Sequence, residues 1–135
     1  MYQRGYKDLI VWQKSMQLTV AVYALTEQFP KTEVYGLVSQ MRRCAVSIPS
    51  NIAEGSKRSS IKDNRNFLHI SFGSGAELET QLELSKLLPF GKDLSYETVD
   101  ALLGECMKML QVMTRTPIQR SYVSSSIDYQ LIPKD

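Results

Sequence analysis

The sequence predicts an all-α fold, an antiparallel up-and-down four-helix bundle with a kinked second helix. Three observations predict it. Four segments repeat apolar residues every three to four positions, and residues that start or stop helices bracket each of them. Strand-like alternation is limited to a weak stretch from Ile127 to Ile132. Short connections between successive helices favour antiparallel neighbours. The 135 residues fit one domain, divided into a bundle over 1–117 and a tail over 118–135.

The first helix is expected from about Asp8 to Phe29, with Asp8 as N-cap, Pro30 after its end, and a core stripe of Leu9, Trp12, Met16, Val20 and Tyr23. The second starts near Thr32 and carries Val34, Leu37, Met41, Cys44, Ile48 and Ile52 on one face. Pro49 lies inside that stripe. An interior proline removes a backbone hydrogen bond at a cost of roughly 3 kcal/mol. The apolar phase nevertheless passes from Ile48 to Ile52 without a slip, so the reading is a kinked but continuous helix ending near Gly55.

The third helix begins at Ser59 or Ser60 and runs to Leu88, with Phe67, Leu68, Ser71, Gly75, Leu78, Leu82 and Ser85 on or beside one face. Gly73, Ser74, Gly75 and Ala76 make its middle unusually small, which suggests close approach of another backbone; a break at Gly73 is the alternative. Pro89 to Lys92 form the next turn. Ser95 caps a fourth helix through about Thr116, striped by Val99, Leu102, Leu103, Cys106, Leu110 and Met113, and Pro117 ends it. The tail beyond has no clear period.

Lysine plus arginine number 16 and aspartate plus glutamate 14, a net charge of +2, too small to announce nucleic-acid binding by bulk charge. The distribution is more telling. Six bases (Arg42, Arg43, Lys57, Arg58, Lys62, Arg65) stand against two acids between Arg42 and Arg65, whereas seven acids stand against two bases between Glu77 and Glu105. The molecule is electrically polarised.

No chemistry-bearing pattern emerges. His69 is the only histidine and is preceded at the diagnostic position by Asn66, so the Glu-x-x-His of di-iron bundles does not occur. One histidine and two separated cysteines exclude the common zinc frameworks. Cys44 and Cys106 sit at helical spacing among apolar residues and read as reduced core thiols. Glu79 and Glu83 share a helix face with Glu77 nearby, a pairing that could serve acid–base catalysis. Their place beside Leu78 and Leu82 favours salt bridges instead, to bases such as Arg42, Arg43 or Arg58. Residues 1–7 are polar and aromatic and no run approaches 18 apolar residues, so neither a signal peptide nor a membrane anchor is expected, and the compartment expected is cytoplasmic.

The string SIPSNIAEGSKR (Ser47 to Arg58), preceded by YGLVSQMRR (Tyr35 to Arg43), resembles a family known as four-helix bundle proteins. That family includes proteins encoded by intervening sequences of bacterial 23S ribosomal RNA genes. The likeness extends to DLIVWQK (Asp8 to Lys14) and GSGAELETQLELSKLL (Gly73 to Leu88), over roughly the first two-thirds of the chain. It implies a ring-shaped homopentamer without enzymatic activity. A related branch includes the accessory protein that partners a reverse transcriptase in diversity-generating retroelements, and its members resemble basic, RNA-engaging adaptors.

On the matching positions, Arg42 and Arg43 project from the second helix, Asn51, Glu54 and Gly55 close it, and Glu77 and Glu79 lie on its neighbour. A ring needs one patch of each subunit to meet a different patch of the next, which a basic surface opposite an acidic one would serve. The expectation is therefore a homo-oligomer with Arg42, Arg43, Asn51, Glu54, Glu77 and Glu79 at subunit contacts. RNA or a ribonucleoprotein would engage Arg42, Arg43, Lys57, Arg58, Lys62 and Arg65, with no cofactor, metal, membrane or small-molecule substrate. The alternative is a pure protein-interaction scaffold in which subunit contacts consume those bases.

Overall fold

The computed structural model describes residues 5–115, so the expectations for the tail lie outside the described residues. After a 3-10 turn at Gly5–Asp8 come four helices, α1 (Ile10–Thr26), α2 (Ser39–Ser56), α3 (Ile61–Leu87) and α4 (Glu97–Met113). Each packs on its successor, and α4 closes on α1. Cross-helix contacts give the directions. Thr19 and Thr26 of α1 meet Ala45 and Arg42 of α2, Met41 and Ile48 of α2 meet Ser85 and Ser71 of α3, and Lys86 of α3 meets Asp100 of α4. Residue numbers rise on one helix as they fall on the next, so neighbours run antiparallel and the bundle is up-and-down.

Leu37, Met41, Ile48 and Ile52 are buried as the periodicity requires, as are Leu68, Leu78 and Leu82 of α3 and Val99, Leu103, Cys106 and Leu110 of α4. Helix α1 departs from expectation. Its core face is Val11, Ser15, Leu18, Val22 and Leu25, whereas Met16 (42% exposed), Val20 (69%) and Tyr23 (44%) face outward. This helix is apolar on two faces, and periodicity alone does not say which one the bundle buries.

Three helix starts also differ. Ser60 caps α3 as expected, accepting a hydrogen bond from the Asp63 amide at 3.0 Å. The residue before α1 is Leu9 and that before α4 is Tyr96, neither with a side-chain cap, so Asp8 and Ser95 are not the caps. Ahead of α2 the chain makes a 3-10 turn at Lys31–Glu33 and a π-helical turn at Val34–Val38, where the Glu33 carboxylate, rather than Thr32, accepts from the Leu37 amide at 3.2 Å. The non-helical backbone in this region lies at Gly36 (φ −110°, ψ −111°).

Helix α2 continues through Pro49. Proline has no N–H to give the carbonyl of Ala45, four residues back. The Thr19 hydroxyl of α1 points at that carbonyl from 3.1 Å and at its own Ser15 carbonyl from 2.8 Å. The single hydroxyl proton is shared between the two carbonyls, so the neighbouring helix replaces in part the bond that proline removes. Thr19→Val should leave the Ala45 carbonyl without this donor and lower stability by about 1–3 kcal/mol. An unchanged urea midpoint would refute the repair.

Helix α3 is unbroken at Gly73. A Cβ at Gly73 would meet nothing within 4 Å, and one at Gly75 would strike the Met107 side chain, not backbone. The close approach to α2 is made by serines instead. Ser71 Oγ donates to the Ile48 carbonyl at 2.9 Å, and Ser47 and Ser74 hydroxyls meet at 2.8 Å. Between α3 and α4, the buried Tyr96 hydroxyl donates to the Gly91 carbonyl at 2.8 Å, and Phe90 packs edge-on against Phe29 at 5.0 Å.

Candidate functional site

The strongest concentration of like charge lies at the turn from α2 to α3. Gly55 makes that turn tight, because a Cβ there would come within 2.8 Å of Phe67 Cβ and 3.1 Å of the Asn64 carbonyl oxygen. The chain leaves α2 with the Lys57 and Arg58 amides bonded to the carbonyls of Glu54 and Gly55, then re-enters a helix at Ser60. This sequence of turn and cap leaves Lys57 and Arg58 in the turn and Lys62 and Arg65 in the first turns of α3. The positive end of the α3 dipole points to the same place. Arg58 bonds Glu54 at 2.8 Å and lies 4.8 Å from the Phe67 ring centre, while Lys57 lies 5.8 Å from that of Tyr6.

Arg42 and Arg43 belong elsewhere. Arg43 is fourteen residues before Lys57, roughly 21 Å along a helix. Arg42 is folded onto α1, where it donates to the Thr26 hydroxyl at 2.9 Å and pairs with Glu27 at 3.1 Å. Its guanidinium also sits 4.4 Å from the Tyr23 ring centre. Arg43 lines a cleft of about 340 Å³ between α2 and α3 together with Cys44, Ser47, Glu77 and Gln81. The six bases therefore divide into four in or next to the turn, Arg42 against α1 and Arg43 in the α2/α3 cleft.

The residues expected at subunit contacts are dispersed as well. Arg43 and Glu77 share the α2/α3 cleft, Glu79 lies on a groove between α3 and α4, and Glu54 is at the turn. Asn51 donates to the Ser47 carbonyl and hydroxyl at 2.8 and 3.0 Å. The expected bridges from the α3 acids to Arg42, Arg43 or Arg58 give way to shorter-range pairs. Among the described residues Arg42 pairs with Glu27, Arg58 with Glu54, and Glu83 with Lys86, which also reaches Asp100 at 2.7 Å. Partial burial disfavours the Lys86 charge, but hydrogen bonds to Asp100 and Glu83 outweigh it, and its pKa is raised.

The α2/α3 cleft brings a thiol, a carboxylate and two hydroxyls together, which invites a catalytic reading. Burial pushes the Cys44 thiol up despite a hydrogen bond from Gln81, and the Glu77 carboxylate 3.9 Å away adds to the rise. Both effects oppose the thiolate that a nucleophile requires. Cys106 is fully buried and pushed up to about 11 by desolvation. Both cysteines are free thiols. His69 is exposed on α3. Among the described residues no cluster of three or more histidine, cysteine, aspartate or glutamate side chains could hold a metal ion, and no helix is long and apolar enough to cross a membrane.

Sequence reasoning missed the outer face of α1, where large apolar side chains stand exposed. A signal was present, because no charged residue occurs between Lys14 and Glu27.

The family model described as 23S rRNA-intervening sequence protein matches residues 7–112. Among solved structures, the chain is similar to a protein of unknown function from the S23 ribosomal protein family of Bacteroides thetaiotaomicron. The two share 24% sequence identity and a TM-score of 0.66 over 79% of this chain and 100% of that one, a likeness that supports the fold. No curated protein matches the chain.

Proposed function

Because the chain belongs to the 23S rRNA-intervening sequence protein family, we propose that it is a non-catalytic homo-oligomeric adaptor that engages RNA through the turn between α2 and α3. The observation that carries this reading is the grouping of Lys57, Arg58, Lys62 and Arg65 at the positive end of a 27-residue helix. Their nearest sequence acids are Glu54, already paired with Arg58, and Asp63, held in the capped first turn. Phosphates suit such a site, and repeating it around an oligomer multiplies weak contacts into useful affinity. The nearby rings of Tyr6 and Phe67 already carry Lys57 and Arg58 against them, so the contact is with the RNA backbone rather than with stacked bases. The oligomer is proposed to be the pentamer that the sequence resemblance implies.

A scaffold that contacts only protein is the second reading, and Arg42 favours it. That side chain is committed to Thr26, Glu27 and Tyr23 and leaves little for a phosphate. Charge reversal separates the two. Lys57→Glu, Arg58→Glu and Lys62→Glu together should keep the oligomeric mass, weaken RNA binding across unrelated sequences, and flatten the logarithmic salt dependence by about 0.7 per lost contact on single strands. A protein with no salt-sensitive affinity for RNA at low ionic strength would leave only the scaffold.

A further inference from the structure

Two surfaces on opposite sides of the bundle are unexplained by packing among the described residues. On the α1/α2 side, Met16, Val20 and Tyr23 form an exposed ridge, extended by Val46 of α2 at 42% exposure. Beside it runs a groove of about 370 Å³ whose walls include Trp12, Pro49 and Ala53. The ridge helix carries no charge for the twelve residues from Ser15 to Thr26. Contiguous exposed apolar surface of this kind marks a contact site.

On the α3/α4 side lies a groove of about 570 Å³, with Phe72, Leu103 and Met107 in its lining and Ala76 and Gly104 as its small members. Gly104 is in the middle of α4, and a Cβ there would meet nothing within 4 Å. A glycine inside a helix costs about 1 kcal/mol relative to alanine. Among the described residues nothing makes use of that small size. Glu79, Glu83 and Asp100 also line this groove, against Lys108, with Lys86 bridging the latter two acids.

We infer that the ridge of one copy seats in the α3/α4 groove of the next, a head-to-tail contact between copies of this chain. The inference rests on the oligomeric reading above and names its interface. Exposed apolar side chains on one face match a groove on the other that has Phe72, Leu103 and Met107 in its lining and a glycine in its wall. The charges match too. Arg42 stands beside Tyr23 at one end of the α1/α2 face, whereas Glu79, Glu83 and Asp100 line the groove against Lys108. An RNA would meet mostly acids at the groove. Because the helices pack in the cyclic order α1, α2, α3, α4, the two faces point apart and cannot satisfy each other within one chain. A contact of this heterologous kind continues from copy to copy until it closes.

The test uses light scattering on the full chain, on Val20→Glu and on Gly104→Leu, with circular dichroism as the control for folding. Both positions are exposed, so the helical signal should be unchanged. The unmodified chain should show a multiple of 15.4 kDa, and each variant alone should fall to 15.4 kDa. An equimolar mixture of the variants should recover a dimer of twice that mass, since Val20→Glu retains an intact groove and Gly104→Leu an intact ridge. A monomeric unmodified chain would defeat the oligomeric reading itself, and this contact with it. An oligomer that survives Val20→Glu, or Gly104→Leu, or two monomeric variants that fail to pair, would overturn this contact alone.

Discussion

Truncating Leu18 to alanine is expected to lower the stability of the fold by about 2–5 kcal/mol, because its side chain is fully buried at the centre of α1. Val20→Ala, two residues along, should change it by no more than about 0.5 kcal/mol when measured at a dilution that keeps copies apart. The contrast is large because the two residues sit on different faces of one helix. Equal losses at the two positions in chemical denaturation would mean that the wrong face of α1 has been assigned to the core.

That contrast also marks how far the fold can be read from residues alone. The apolar stripes of α2 and α4 identify Met41, Ile48, Ile52, Val99, Leu103 and Leu110 as core, although Val34, read into the α2 stripe, lies ahead of that helix and is exposed. In α3 the small residues Ser71, Gly75 and Ser85 sit in the apolar phase and are buried with it. Helix α1 offers two apolar faces, and the buried one includes Ser15, whose hydroxyl is satisfied by the Trp12 carbonyl at 2.8 Å. A pattern that counts serine as polar rejects that face. At the candidate site, nearness in sequence groups six bases, but distance along α2 separates Arg42 and Arg43 from the turn. The pairing of Arg42 with Glu27 depends on how α1 lies against α2, which no local spacing encodes.

Gly91→Val is expected to cost about 3 kcal/mol. The loop between α3 and α4 passes so close to α3 that any Cβ at Gly91 would collide with the Ser85 backbone carbonyl and come within 2.7 Å of the Tyr96 hydroxyl. A flexible side chain could move aside, but a carbonyl fixed in the last turn of a helix cannot. Relief of the clash would push the loop outward, break the buried bond from Tyr96 to the Gly91 carbonyl, and loosen the contact of Phe90 with Phe29. Tyr96→Phe removes the hydroxyl alone and should cost less, about 1 kcal/mol. If the two variants unfold at the same denaturant concentration, close approach at Gly91 contributes nothing and the hydrogen bond is the whole effect.

The hydroxyl contacts between helices decide which of several apolar arrangements the chain adopts. Apolar side chains interlock almost as well after one helix slides a full turn past its neighbour, a shift of about 5.4 Å. Hydroxyls do not. In such a slipped bundle Thr19 would lose the Ala45 carbonyl, Ser71 the Ile48 carbonyl, and Ser47 and Ser74 each other. The buried bond of Ser71 to Ile48 would leave groups stranded away from water at about 1–3 kcal/mol, and the part-buried contacts of Thr19, Ser47 and Ser74 would add less. The misaligned competitors therefore lie several kcal/mol above the native arrangement, and the landscape narrows to a single alignment of four otherwise interchangeable greasy rods.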